Sequence, residues 1–156
     1  MTIFPARQSS ACQHDFARAC VVLHLDDDIA VNNSVRALLK IAGCNPVSAR
    51  SSAEAIDQVL RHGVRPDVLV MDYRLAEETT GTDVAERIVR ALGYPIPTIL
   101  LTGDLANIEI PWMPGAPISL LAKPADPDLL LDTIQHFSAL QRAAQARLGS
   151  GVPRNR

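Results

Sequence analysis

At 156 residues the chain is long enough for one domain with a short extension at each end. With 47% hydrophobic residues, 21% charged residues and a formal net charge of −2, it can build a packed core and has no general pull toward nucleic acid or an anionic membrane. Aromatic residues make up only 4%, too few for a base-stacking platform.

The opening stretch, MTIFPARQSSACQHDFARAC, lacks the basic start and apolar core of a secretory signal, and no apolar run reaches membrane-spanning length. The cysteines, Cys12, Cys20 and Cys44, form no CxxC pair, and their odd number fits a reducing compartment better than a disulfide framework. Cys44 reads as a small buried apolar residue. The expected location is the cytoplasm.

Short apolar runs alternate with helical patterns, which indicates βαβ units around a parallel sheet. Val21–Leu25 is apolar apart from His24 and reads as a first strand, ended by Asp26, Asp27 and Asp28. Val31, Val35, Leu38, Leu39 and Ala42 then recur on one helical face that stops at Gly43. Asn45–Ala49 is a second strand. Ser51-Ser52-Ala53-Glu54 has the capping-box pattern, and Ile56, Val59 and Leu60 carry a helix to Gly63. Residues 68–71 form a third strand leading to Asp72. After a polar loop at 76–81 comes a helix bearing Val84, Ile88, Ala91 and Leu92. Residues 97–101, ended by Thr102, and Ile118–Ala122, ended by Lys123-Pro124, are the fourth and fifth strands. Asp126-Pro127 pairs an N-cap with proline at the first helical position. Leu130, Ile134 and Phe137 mark the apolar face of a last helix reaching about Leu148.

The fourth crossover breaks the rhythm. Pro111, Pro114, Gly115 and Pro117 interrupt it, and proline costs ~3 kcal/mol inside a helix. Any helix there is confined to about residues 105–110. The expected fold is α/β, a doubly wound five-stranded parallel sheet of order 2-1-3-4-5 with a shortened or irregular fourth helix. The expected organisation is an N-terminal extension at 1–19, a domain at 20–140, and a C-terminal helix extension and loose tail at 141–156.

Four strands end in polar residues able to act together: Asp26-Asp27, Asp72, Thr102 and Lys123. In an open parallel sheet, ligands bind outside the carboxyl ends of the strands, where the strand order reverses. That point lies between strands one and three, which carry the aspartates. Three carboxylates in one cleft repel unless a cation joins them, and Mg²⁺ takes oxygen ligands and shares phosphate oxygens. One carboxylate can then act as a nucleophile toward phosphorus, with a hydroxyl (Thr102) and an ammonium (Lys123) on the transferring oxygens. Singly, each residue has an ordinary reading: a solvated cap for Asp26–Asp28, a turn for Asp72 or Thr102, a surface turn for Lys123-Pro124. Their joint occurrence at strand ends of one sheet gives them weight. His24, with no Cys/His cluster near it in sequence, reads as a hydrogen-bonded core residue.

VVLHLDDDIAV resembles the acidic motif of response-regulator receiver domains. DVLVMDYRLAEETTG resembles their phosphorylation-site segment, TILLTGD their fourth strand and switch threonine, and SLLAKP their lysine-proline motif. The motifs occur in order over about residues 20–140, and the MDYRL form is most similar to receivers of hybrid sensor kinases or single-domain response regulators. The resemblance implies a flavodoxin-like fold and phosphorylation of Asp72, with Thr102 and Lys123 completing the catalytic set. It implies a Mg²⁺ site at Asp26, Asp27, Asp72 and the backbone carbonyl of Arg74. It further implies a sensor histidine kinase or histidine phosphotransfer protein as phosphodonor, an unnamed downstream protein target, and no direct contact with nucleic acid or membrane.

The triple aspartate allows two registers. The end of the apolar run favours Asp26-Asp27 as the acidic pair, with Asp28 capping the first helix, over Asp27-Asp28. Leu120 stands where the family carries an aromatic residue, and with the proline-rich crossover this implies a rebuilt output face, with Trp112 either core filler or part of a partner surface. Arg74, two residues past Asp72, is positioned to affect the lifetime of a phosphoryl group. It also stands where aspartate-nucleophile phosphatases carry a second aspartate, so turnover of outside substrates is not expected. No P-loop or GxGxxG motif is present, and the chain after residue 140 is too short for a helix-turn-helix domain. The alternative to a phosphoacceptor is a receiver-like protein-interaction module that acts without phosphorylation.

Overall fold

The structure, a computed structural model, describes residues 19–76, 78–110 and 115–149. The elements run β1 (Val21–Leu25), α1 (Ile29–Ile41), β2 (Asn45–Ala49), α2 (Ser52–Leu60), β3 (Val68–Asp72), α3 (Gly81–Leu92), β4 (Thr98–Thr102), β5 (Ile118–Ala122) and α4 (Pro127–Gly149). All strand pairings are parallel and the order is β2-β1-β3-β4-β5. The expected α/β topology is therefore the one the chain adopts.

Local chemistry starts each helix. Asp28 caps α1, its carboxylate accepting from the N–H of Ala30 at 2.8 Å and of Val31 at 3.1 Å. The Ser51 hydroxyl caps α2 by accepting from Glu54 N at 3.1 Å, while the Glu54 carboxylate accepts from Arg50 N at 2.8 Å. Thr80 and Asp83 form a reciprocal capping box on α3. Asp126 accepts from Leu129 N at 3.0 Å at the start of α4, with Pro127 as its first residue.

The core lies in two layers. On one face of the sheet, Val22, Val68, Val70, Ile99 and Leu101 pack under Val35 and Leu39 of α1 and Leu130, Ile134 and Phe137 of α4. On the other, Leu23, Leu25, Leu69, Met71 and Leu100 pack under Ala55 and Val59 of α2 and Val84, Ala85 and Ile88 of α3. Full burial of such a side chain is worth about 1.5–3 kcal/mol. Strands β3 and β4 are buried along their whole length, which places Asp72 and Thr102 at the ends of the most deeply buried strands. Ala91 lies on the exposed side of α3.

Two expectations need correction. Among the described residues no helix forms between β4 and β5, not even over 105–110. The Asp104 carboxylate takes the N–H of Ala106 at 3.0 Å and the amide of Asn107 at 2.7 Å, and Glu109 N donates to the Tyr73 hydroxyl at 3.1 Å. Side chains therefore satisfy the backbone that helical bonds would otherwise use. As a result Leu105 and Ile110 are exposed, and Ile118 and Leu120 on the same side of β5 are only half-buried. Trp112 lies outside the described residues.

The second correction concerns His24, which is fully buried but has no hydrogen-bond partner on either ring nitrogen among the described residues. Its neighbour in register on β2 is Ser48, whose hydroxyl is likewise unpartnered. Burial is the main reason the imidazole pKa falls to about 4; the Asp26 charge opposes the fall and Lys123 adds to it. The unfolded value is about 6.5, so the unfolded chain takes up the proton first. This contribution to stability is complete above that value and is lost as pH falls toward 4. In urea melts at pH 7 and pH 4.5, His24→Leu should lose roughly 2–3 kcal/mol less stability over the interval than wild type. Equal losses would remove His24 as a source of acid sensitivity.

Candidate functional site

The carboxyl ends of β1, β3, β4 and β5 converge on one acidic centre. Asp26 follows β1 directly and is fully buried. Its backbone is fixed twice: its N–H donates to Ala49 O at 3.2 Å, and its carbonyl accepts from Asn32 Nδ2 at 3.1 Å. Asn32 also donates to Ala49 O at 2.9 Å, tying α1 and β2 to the end of β1. Asp27 is exposed. One carboxylate oxygen from each of Asp26, Asp27 and Asp72 falls within 4.8 Å of the others. Asp28 points away as the α1 cap, so of the two registers the structure adopts Asp26-Asp27.

Lys123 reaches this centre from the end of β5. Its Nζ donates to Asp26 Oδ2 at 2.7 Å and lies 3.2 Å from Asp72 Oδ2. Burial pulls the Lys123 pKa down, but the hydrogen bond and charge of Asp26, with those of Asp72, outweigh it and the net shift is upward. For Asp72 the net shift is also upward: burial dominates and the Asp26 charge adds, against the Lys123 charge and the N–H of Arg74, 3.3 Å from Asp72 Oδ1. Three carboxylates against one ammonium leave the centre short of positive charge. Its donors are hard oxygens held close together, a set that fits Mg²⁺ better than a thiolate- or imidazole-seeking metal.

Thr102 is buried at the end of β4, and its hydroxyl is engaged within its own loop. It accepts from Asp104 N at 3.1 Å and donates to Asp104 O at 3.2 Å. Asp72, Arg74, Thr102, Gly103 and Asp104 line a cavity of about 140 Å³ beside the Asp72 carboxylate, several times the ~30 Å³ share of a liquid water. The structure thus brings together Asp26, Asp27, Asp72 and Lys123, with Thr102 and Arg74 at the rim of the adjoining cavity. A larger apolar hollow, about 620 Å³, opens between α1 and the start of α4, lined by Val31, Val35, Leu38 and Leu130, with Lys123 at its edge.

Sequence reading placed Tyr73 beside the site but did not show how it, or Asn32, Asp104 and Gly81, supports the centre. Asn32 looks like an ordinary polar helix residue, and nothing in the sequence marks its amide as a clamp. Asp104 follows Thr102-Gly103 and reads as a turn, although it orients the threonine hydroxyl. Tyr73 holds the 104–110 segment through its hydroxyl, 36 positions away in sequence. Gly81 had a faint signal as the end of a polar loop. A Cβ there would collide with the backbone oxygen of Asp72 and stand 2.9 Å from Met71 Cβ, so α3 begins hard against the end of β3.

The chain belongs to the response-regulator receiver-domain family: residues 22–135 match the family described as "Response regulator receiver domain". The response regulator protein TodT of Pseudomonas putida is 30% identical over 156 residues, which cover 97% of this chain and 65% of TodT. Response regulator MprA of Mycobacterium leprae is 30% identical over 115 residues, 73% of this chain and 49% of MprA. The chain therefore spans less than two thirds of the length of these relatives. Among solved structures, a response regulator receiver domain protein from Clostridium thermocellum superposes with a TM-score of 0.69 at 24% identity, covering 80% of this chain and 98% of that one. Chemotaxis protein CheY4 of Vibrio cholerae gives 0.63 at 25% identity, covering 77% and 99%. The family is a regulatory domain of two-component signalling rather than a conventional enzyme. No helix among the described residues is long and apolar enough to cross a membrane.

Gly81→Ala should lower stability by about 1–3 kcal/mol in urea melts, because α3 must back away from Asp72. Gly103→Ala, where a Cβ meets nothing within 4 Å, is the control and should change it by less than about 0.5 kcal/mol. Equal effects would show that the contact with Asp72 is not what requires glycine. Tyr73→Phe deletes the acceptor of the Glu109 amide. Hydrogen exchange at Glu109, followed by NMR, should accelerate by roughly two- to tenfold, as loss of a bond worth about 0.5–1.5 kcal/mol implies. Unchanged exchange would mean that the 104–110 segment is held by other contacts.

Proposed function

We propose that this chain is the phosphoacceptor of a two-component phosphorelay, receiving a phosphoryl group on Asp72 from a phospho-histidine. The observation that carries the reading is the buried Asp72 carboxylate at the end of the central strand, 3.2 Å from the Lys123 ammonium and within the carboxylate set of Asp26 and Asp27. An oxygen of Asp72 attacks phosphorus, the phosphorus–nitrogen bond to the donor imidazole breaks, and the imidazole leaves with the bonding pair. Lys123 then bonds to the new phosphoryl oxygens. The Thr102 hydroxyl gives up Asp104 and donates to another, and that exchange alters the 104–110 segment. Arg74 lines the cavity that would receive the phosphoryl group and is suited to shield it or hold an oxygen.

Asp26, Asp27, Asp72 and the backbone carbonyl of Arg74 would hold Mg²⁺, which when bound neutralises charge on the carboxylates and the transferring oxygens. Residues 20–140 would form the functional unit, with 141–156 as a helix extension and tail. The donor would be a cytoplasmic sensor histidine kinase or histidine phosphotransfer protein. The apolar hollow between α1 and α4, bordering Lys123, supports a protein donor docking beside the acidic centre. The output would be a downstream protein rather than nucleic acid or membrane.

A second reading, an interaction module that acts without phosphorylation, draws on the Thr102–Asp104 bonds and on the half-buried Leu120 where the family carries an aromatic residue. Intact mass spectrometry after incubation with Mg²⁺ and acetyl phosphate separates the two. One phosphoryl group on wild type, absent without Mg²⁺ and absent in Asp72→Asn, is the expected result. No adduct on wild type, together with no binding of beryllofluoride, would leave the phosphate-independent module.

A further inference from the structure

We propose that Cys20 and Cys44 form a two-electron thiol–disulfide site at the amino-terminal edge of the sheet, closed by peroxide and reopened by a dithiol reductant. The two cysteines are 24 positions apart in sequence and belong to no recognisable spacing motif. The fold makes them neighbours. Cys20 immediately precedes β1 and Cys44 immediately precedes β2, and the register pairs Val21 with Asn45, so the same parallel ladder carried back one residue sets Cys20 beside Cys44. Asn45 N donates to Cys20 O at 2.8 Å, and Cys44 N donates to Leu39 O at 2.9 Å, which anchors both backbones. The two side chains share one core layer, the one facing α1 and α4, and lie close enough for each thiol to shift the ionisation of the other.

Those facts meet the demands of a disulfide. Adjacent strands lie about 4.7–4.9 Å apart, and disulfide Cα–Cα spans run from about 4.4 to 6.8 Å. Both thiols are free and buried, Cys20 completely and Cys44 almost so. The pair is also asymmetric. The hydrogen bond from Cys44 is the main reason the Cys20 thiol is shifted toward its thiolate, with burial opposing; sharing that bond and being buried push the Cys44 thiol up. Either sulfur can attack first and the product is the same; Cys20, shifted toward its thiolate, serves as the attacking one.

The steps balance. The Cys20 thiolate attacks one oxygen of hydrogen peroxide and the O–O bond breaks. The departing hydroxide takes up the proton that Cys20 released, giving water and a sulfenic acid on Cys20. The Cys44 sulfur then attacks the Cys20 sulfur, the S–O bond breaks, and hydroxide leaves as a second water with the proton from Cys44. Two thiols have lost two electrons and two protons, and one peroxide has become two waters. The closed ring encloses β1, α1, Asp26 and Asp27, so oxidation would brace the segment that carries the acidic pair.

The test uses the full chain. Native protein is treated with hydrogen peroxide, its remaining thiols are alkylated under denaturing conditions, and a non-reducing digest is mapped by mass spectrometry. The expected product is a Cys20–Cys44 cross-linked peptide, two hydrogens lighter than the sum of its parts and lost on treatment with dithiothreitol. Cys12→Ser, which leaves both core cysteines in place, should give the same cross-link, and Cys44→Ser should abolish it. Cys20 and Cys44 both alkylated after peroxide, or cross-links that run only through Cys12, would overturn the proposal. The mapping of wild type and Cys12→Ser decides it even if the Cys44 variant folds poorly.

Discussion

The Lys123 ammonium, held 2.7 Å from Asp26 and 3.2 Å from Asp72, is the interaction on which the rest of the acidic centre depends. Carboxylates brought together at the ends of β1 and β3 repel each other, and burying them raises the cost further. One ammonium from β5 lowers that cost but does not cancel it. The upward pKa shift of Asp72 is the trace of the imbalance: burial and the Asp26 charge outweigh what Lys123 returns. A site in this condition is receptive to a further cation. It is poised by its charge deficit rather than by any single residue.

The neighbouring loop carries a different constraint. The Thr102 hydroxyl is occupied by Asp104, and the Tyr73 hydroxyl by the Glu109 amide, so both anchors of the 104–110 segment lie beside the phosphoacceptor candidate. A helix in this crossover would have carried its own hydrogen bonds. The irregular segment instead depends on two side chains that flank Asp72, one next to it in sequence and one on the adjoining strand. In the proposed chemistry, any change in the Thr102 hydroxyl is felt first in this segment.

The same fold produces a second chemical neighbourhood at the opposite end of the sheet, where Cys20 and Cys44 meet beneath α1 and α4. The two ends share β1. Its amino-terminal edge carries a thiol and its carboxyl edge leads into the acidic pair, only six residues along the chain from Cys20 to Asp26. A bond formed at one edge would therefore act on the strand that supports the other.

The strands, the capped helices and the candidate residues at the strand ends were legible in the sequence because they rest on local rules. Short continuous apolar runs and period-3.6 apolar patterns mark the elements, and Asp28, Ser51 and Asp126 mark helix starts through bonds to residues two or three positions away. The sequence also carried the warning about the fourth crossover, since prolines exclude a long helix by covalent geometry alone. What only the tertiary structure decided are the long-range pairings. They include the Asn32 clamp on Asp26, the contact of Gly81 with the Asp72 backbone, the Tyr73 hold on Glu109, the lack of partners for His24 among the described residues and the meeting of Cys20 with Cys44. Each depends on which strands become neighbours and in what register, and a one-residue slip would reverse the face every side chain takes. Spacing along the chain carries no record of that choice, because register is set by the packing of all five strands and four helices at once.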